Sequence, residues 1–377
     1  MSDRRAVIAG AGLGGLAAAI ALHRRGWQIT VLERAPALRE VGAGISLWPN
    51  AVRALDLLGV GDQVRELGGI EAAAGFRDDR GRWLFRSDIV AIEELYGPSV
   101  MIRRPVLLDI LKSAISADAI VLDALVDGVE AGDDQVTIEH DGVLHTADLL
   151  VGADGVRSTV RAKLWPEAKP PVYAGYTTWR FITPPLHLEV ATSESWGAGE
   201  RVGIIPLADG SIYSYLGAST PPGQTYADEL AELRRRFGHW HDPIPAMLDS
   251  VSGTEILRHD IYRLPPLSTY VRGRVALVGD AAHAMTPDLG QGGGTALEDA
   301  VELAEALDGT DDVHEGLRRY DVRRRSRTQA IARQSRIFGA FAQSSGRPSV
   351  LLRNGIARLL PPSLLLRSLR PMLTWRG

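Results

Sequence analysis

The sequence predicts an α/β fold: a parallel-sheet unit interrupted by a sheet-rich insertion, with helices at its C-terminal end. Three observations predict it. A short apolar run, Ala6-Val7-Ile8-Ala9, leads through Gly10-Ala11-Gly12-Leu13-Gly14-Gly15 into an alanine-rich stretch and a second strand. Two later regions, 72–98 and 170–220, carry period-two patches and many aromatics, the second punctuated by proline pairs. The strand–turn–helix pattern then returns at Arg274-Val275-Ala276-Leu277-Val278. The expected division is 1–71, 99–169 and 261–345 for the parallel-sheet unit, 72–98 and 170–260 for the insertion, and 346–377 for a helical tail. A chain of 377 residues suits two such interleaved units.

Each element has its own warrant. Four consecutive apolar residues read as a buried parallel strand. Leu16 to Arg25 reads as a helix stopped by Gly26 just beyond its end. Gln28 to Leu32 completes a βαβ unit and ends at Glu33. Helices are expected at Asn50–Leu58 and Arg104–Ser116. Tyr176–Phe181 and Ile212–Tyr215 alternate as half-buried strands do. A helix from about Thr295 shows one apolar stripe: Ala296, Leu297, Ala300, Val301, Ala304 and Leu307. Arg323–Arg327 is expected as a solvated helix face, and the tail as short helices packed on the body.

Composition narrows the function. Apolar residues make up 45% and charged residues 23%, which is a globular composition. A net charge of -4 argues against nucleic acid as partner. The 39 arginines against three lysines are read as genome composition. The absence of cysteine excludes disulfides, thiolate metal sites and a cysteine nucleophile. No apolar run is long enough to span a bilayer, and no signal peptide is evident, so a cytoplasmic chain without stable membrane insertion is expected. His239 and His241 flank Trp240 without a third ligand, so no metal site is expected.

Three segments carry chemistry. In the first, Gly10 permits a tight turn, Gly12 lets the backbone approach a pyrophosphate, and Gly15 lets helix and strand pack closely. The helix that follows offers its positive end to that pyrophosphate. Glu33, at the end of the next strand, suits a ribose hydroxyl. This motif alone fits NAD or FAD. The second segment runs from the strand at Asp148 into Asp154-Gly155, with Ser158 and Arg161 beyond it. The third is Gly279-Asp280 with His283, followed by Pro287 and by glycines at 290 and 292–294. Four glycines in five residues expose backbone N–H groups to a ligand that becomes anionic.

With these segments in this order, the chain resembles the single-component FAD-dependent aromatic hydroxylases, the para-hydroxybenzoate hydroxylase-like monooxygenases. Val41–Asn50 and Ile102-Arg103-Arg104-Pro105-Val106-Leu107-Leu108 add to the likeness, which covers nearly the whole chain. It implies a Rossmann-like domain holding non-covalent FAD, with NAD(P)H as a visiting co-substrate and O₂ as the oxidant. Glu33 would hold the adenosine ribose, Asp280 the ribityl chain, Asp154 and Gly155 the pyrophosphate side. Pro287 would face the flavin's reactive edge, and Gly290, Gly292 and Gly293 its pyrimidine end. Leu13, Gly14, Arg34, Gly44, Ile45, Arg104 and Val126 complete the implied cofactor contacts. The implied cycle reduces FAD, forms a flavin hydroperoxide and hydroxylates a small aromatic ring.

A narrower likeness is to FAD-dependent urate hydroxylases, through Trp48-Pro49-Asn50, Tyr173–Tyr176, Arg201-Val202 and Tyr213. It implies that Arg201 and Tyr213 touch the substrate, Arg201 gripping an anion, with Trp48 and Trp179 in the pocket wall. His283 is expected to be structural, and no general base is assigned. Two other classes stay open: a flavin reductase or dehydrogenase without oxygen insertion, and a non-catalytic FAD-binding protein. A halogenase is set aside because Trp-x-Trp-x-Ile-Pro is absent. Neither the substrate nor the oligomeric state is legible.

Overall fold

The computed structural model describes residues 4–38, 44–70, 74–87, 89–251 and 256–375. Its first sheet has six strands, in the order Val271–Arg272, Val275–Leu277, Leu149–Gly152, Arg5–Ala9, Gln28–Leu32 and Ile120–Val121. All pair in parallel except Val271–Arg272. Ala9 sits beside Gly152, and Gly152 beside Leu277. The three motif loops therefore leave the sheet side by side at one edge. Segments about 140 and 125 residues apart in sequence are joined by that register alone.

Helix Leu13–His23 covers this edge, its residues from Leu16 to Leu22 buried. The chain reverses at Gly26, whose φ of 82° lies in the left-handed region that favours glycine. Helix Gly292–Asp308 packs against Leu13–His23. It begins about three residues before the expected Thr295, so the triplet Gly292–Gly294 forms its first turn and is not a loop. A Cβ on Gly293 would lie 2.9 Å from the Ile45 side chain, and one on Gly294 3.2 Å from that of Asn50. The expected stripe from Ala296 to Leu307 is buried throughout.

The second large sheet has seven strands: Leu257–Arg263, Val172–Ile182, Ile212–Ala218, Glu200–Pro206, Ser193–Trp196, Ala74–Asp78 and Trp83–Ser87. It draws on both segments of the sheet-rich insertion. Alternation gives it two faces. Trp179, Phe181, Val202, Ile204 and Leu216 form a core with helices Glu229–Phe237 and Ile244–Ser250. Thr178, Arg180, Arg201, Ile205, Tyr213 and Tyr215 face the other way, into a cavity.

Several elements had no sequence expectation. One is a meander, Gly128–Ala131, Val136–His140 and Val143–Ala147, whose last turn is Asp141-Gly142 with φ of 49° and 76°. Another is the long helix Val313–Ala342, which closes the molecule beside both large sheets. The tail forms helices Arg347–Leu359 and Pro362–Leu373, as expected.

Candidate functional site

The two large sheets enclose one cavity of about 1010 Å³. One lobe is built from the motif loops. It is lined by Gly12, Leu13 and Gly14, by Gly44, Ile45 and Arg104, and by Asp280, Gly290, Gly292 and Gly293. The glycines of the first loop divide their work. A Cβ on Gly10 would lie 2.6 Å from the Ala153 carbonyl oxygen, and one on Gly15 1.9 Å from that of Gly10. Nothing lies within 4 Å of a Cβ built on Gly12. Two glycines therefore close the backbone packing, and the third opens the loop to a ligand.

Glu33 accepts hydrogen bonds from Ala11 N at 2.7 Å and Ala35 N at 2.9 Å, which fixes its carboxylate beside the glycine loop. Asp280 is exposed and lines the cavity. The protein packed around it raises its carboxyl above the ordinary carboxylate range, against the pull of His283 and Arg104. Among the described residues it has no hydrogen-bond partner. A cavity-facing carboxylate without a partner among the described residues, an open glycine and a carboxylate beside the loop are what a dinucleotide's hydroxyls and pyrophosphate require, so the chain's residues fit FAD.

Other implied residues stand behind the wall. Asp154 accepts from Thr159 N at 2.7 Å and Val160 N at 3.1 Å, capping helix Thr159–Leu164, while Gly155 reaches the cavity. Ser158 caps the same helix through Arg161 N, and Arg161 ties this loop to Ala281 O at 2.8 Å. Val126 is buried in the core of the six-stranded sheet, and Arg34 is exposed. Of the Val41–Asn50 stretch, Val41, Gly42 and Ala43 lie outside the described residues.

The other lobe lies against the seven-stranded sheet. Pro287, Trp48, Arg201 and Tyr213 all line the same cavity. The Tyr213 ring packs on Gly44, where a Cβ would sit 2.7 Å from it. Burial raises the Tyr213 hydroxyl, with Arg180 and Arg104 pulling it back. Trp179 is corrected. It lies on the opposite face of its strand, fully buried, and its Nε1 donates to Glu229 at 2.6 Å. Its neighbours Thr178 and Arg180 take the cavity side, because successive strand residues face opposite ways.

Arg201 is present but already engaged. Its guanidinium donates to Asp288 at 2.7 Å, Glu194 at 3.3 Å and Gln343 at 2.8 Å. Burial works against its charge; Glu194 and Asp288 outweigh burial and hold it firmly protonated. Tyr176 donates to Asp288 at 3.0 Å, and Tyr215 to Glu194 at 2.7 Å. One cation with two carboxylates leaves no spare positive charge, so the expected grip on an anionic substrate does not follow from this geometry. Sequence reasoning missed Asp288, which directly follows Pro287, and Glu194, which is seven residues from Arg201. It also missed His259, which faces the cavity; burial lowers its pKa, reinforced by Arg180, Arg104 and Arg258.

Among the described residues no group of three or more His, Cys, Asp or Glu side chains could hold a metal ion. His283 is structural: its Nε2 lies 2.5 Å from Asp299 Oδ2, which also accepts from Gly279 N at 2.9 Å. His241 bonds Ser195 Oγ at 2.7 Å.

Three glycine-bearing loops at one sheet edge, facing a sheet-walled cavity, define a dinucleotide-binding protein. The family model described as FAD binding domain matches residues 3–335, and the chain belongs to that family. It is 38% identical over 94% of its length and 94% of the relative's to aurachin C monooxygenase/isomerase of Stigmatella aurantiaca. It is 33% identical, over 88% of both chains, to FAD-dependent urate hydroxylase of Klebsiella pneumoniae. The structure of Klebsiella pneumoniae HpxO complexed with FAD and uric acid superposes with a TM-score of 0.92 at 29% identity, covering 99% of this chain and 97% of that one. The chain is an FAD-dependent NAD(P)H:oxygen monooxygenase of the aromatic hydroxylase type. No described helix is long and apolar enough to cross a membrane.

Proposed function

We propose that the protein hydroxylates an uncharged heteroaromatic ring held between Trp48, Tyr213 and Pro287. The observation that carries this is the Arg201–Asp288 ion pair at 2.7 Å beside Pro287. With Glu194 as the second carboxylate on Arg201, that end of the cavity is polar and has no spare positive charge, suited to ring N–H, C=O and O–H groups and less suited to a carboxylate. The relatives named for urate and for aurachin C act on different molecules, so the family leaves the ring open.

The cofactor roles follow the cavity. Gly12–Gly14 and the start of helix Gly292–Asp308 would hold the pyrophosphate and pyrimidine ends. Glu33 would hold the ribose, and Asp280 the ribityl chain. Arg104 would lie along the cofactor. Bound FAD supplies electron transfer from NAD(P)H and the activation of O₂. The chain's residues orient the ring and exclude water. The seven-stranded sheet would serve as the substrate unit, and the six-stranded sheet as the cofactor unit. The cytoplasm, where NAD(P)H is supplied, is the proposed location.

A panel of aromatic compounds tests the reading. The true substrate should accelerate NAD(P)H oxidation and acquire one heavy oxygen atom from labelled O₂. Accelerated oxidation with no label in any product would favour a reductase.

A further inference from the structure

We propose that helix Arg347–Leu359, with the start of the helix after it, docks on a membrane surface carrying anionic lipid headgroups. Pro348, Leu351, Leu352, Gly355, Ile356 and Leu359 fall within one arc at 100° per residue. Leu351 is 74% exposed, Leu352 65% and Leu359 83%. Leu364, on the following helix, is 52% exposed. These are the largest apolar side chains on that face, and no side chain of the described residues covers them.

The opposite face is firmly held. Arg353 is fully buried, donates to Gly197 O at 2.9 Å and Ala342 O at 2.7 Å, and lies over the Trp196 ring. Burial lowers its pKa to about 10. Ala357 is buried beside it, and Arg358 reaches Asp78 at 3.5 Å. The helix is therefore seated on the body in a fixed rotation, and that rotation points its leucines outward.

Charge selects the occupant. Arg347, Arg367 and Arg370 are exposed on this helical pair, and residues 346–377 hold no acidic residue, in a chain whose net charge is -4. A second copy of this face would set arginines against arginines. Anionic headgroups would answer them while acyl chains receive the leucines. The second helix of the pair also places Leu369 and Met372 in the cavity wall. The docking face and part of the substrate space thus belong to one helical hairpin. The inference goes beyond the monooxygenase reading and does not depend on it.

The test is co-sedimentation of the FAD-loaded protein with vesicles of phosphatidylcholine alone or mixed with phosphatidylglycerol. Binding is expected to the mixed vesicles, and to weaken when salt is raised roughly tenfold. Leu351→Glu with Leu359→Glu should lower the partition coefficient by at least about tenfold. Arg347→Glu with Arg367→Glu should abolish the preference for the anionic vesicles. Bound flavin and far-ultraviolet circular dichroism should match the parent in both variants, because all four side chains are exposed. Three results would overturn the proposal: no sedimentation of the parent with either vesicle, equal binding to both, or variants that bind like the parent. A parent that is dimeric while the leucine variant is monomeric would instead assign the face to self-association, and overturns it too.

Discussion

At the scale of single residues, Arg201 has no charge left to lend. Its two carboxylate partners share its only positive charge inside a buried cluster, and Gln343 takes another N–H. Its side chain holds Asp288 and Glu194, and Glu194 in turn accepts from Tyr215. Arg201→Ala leaves Glu194 and Asp288 facing each other without a counter-charge, a loss of about 3–5 kcal/mol in stability. Arg201→Lys keeps the charge but not the planar fork that reaches three acceptors. In that variant the ring should sit loosely, with KM raised, FAD content unchanged and more NAD(P)H-derived reducing power leaving as hydrogen peroxide. A peroxide assay alongside product quantification reads this coupling; parent-like coupling in Arg201→Lys would place the substrate elsewhere. The residue itself was legible through the likeness to urate hydroxylases. Its engagement was not, because Asp288 lies 87 residues away in the chain and pairs only through the fold.

At the scale of elements, the junction of helices Gly292–Asp308 and Val313–Ala342 departs furthest from the sequence expectation. The run Arg323–Arg327 was expected as a solvated face. Arg324 is instead fully buried, 2.7 Å from both Glu298 and Asp299, and Arg327 also meets Glu298 at 2.7 Å. Only the flanking Arg323 and Arg325 behave as half-exposed ion pairs, with Glu302 and Asp321. Four arginines in five residues mask which one turns inward, since the helix phase is set by packing. Burial alone would raise the carboxyls of Glu298 and Asp299. Arg324 with Arg327 outweighs it at Glu298, and His283 with Arg324 at Asp299, so both are held below the ordinary carboxylate range. A lowered value in the folded state means that this stabilisation is present above about pH 4 and is lost as pH falls below it. Arg324→Leu should therefore cost about 3–5 kcal/mol at pH 7, and its deficit against the parent should shrink on acidification. Urea unfolding at neutral pH and near the carboxylate range measures it. A deficit that does not change with pH would remove electrostatics as its source.

At the scale of the whole molecule, residues of the large sheets and the cofactor residues line one cavity, so cofactor and fold are linked. FAD at about 100 times its dissociation constant should add about 2.7 kcal/mol of stability. Asp280→Ala should weaken FAD roughly 5- to 150-fold, from about 1–3 kcal/mol of lost hydrogen bonding. Thermal unfolding with and without FAD, with flavin absorbance as a second readout, should show a smaller ligand-induced shift in that variant. An equal shift in both proteins would move the ribityl contact off Asp280. The cofactor lobe was largely legible because each loop follows a parallel strand and carries its own glycines. The substrate lobe was less so. Alternation told that Thr178, Trp179 and Arg180 face opposite ways, but which face meets the cavity depends on helices Glu229–Phe237 and Ile244–Ser250 covering the other. The meander escaped notice although Asp141-Gly142 offered a hairpin signal.

The cavity wall also has an order in time. Gly12 and Met372 stand in the same wall, about 360 residues apart along the chain. A ribosome adding roughly 5–20 residues per second separates their emergence by roughly 20–70 s. For that interval the glycine cradle exists without Leu369 and Met372 opposite it. Cofactor capture in a finished pocket therefore waits until the helix that carries Leu369 and Met372 has been made.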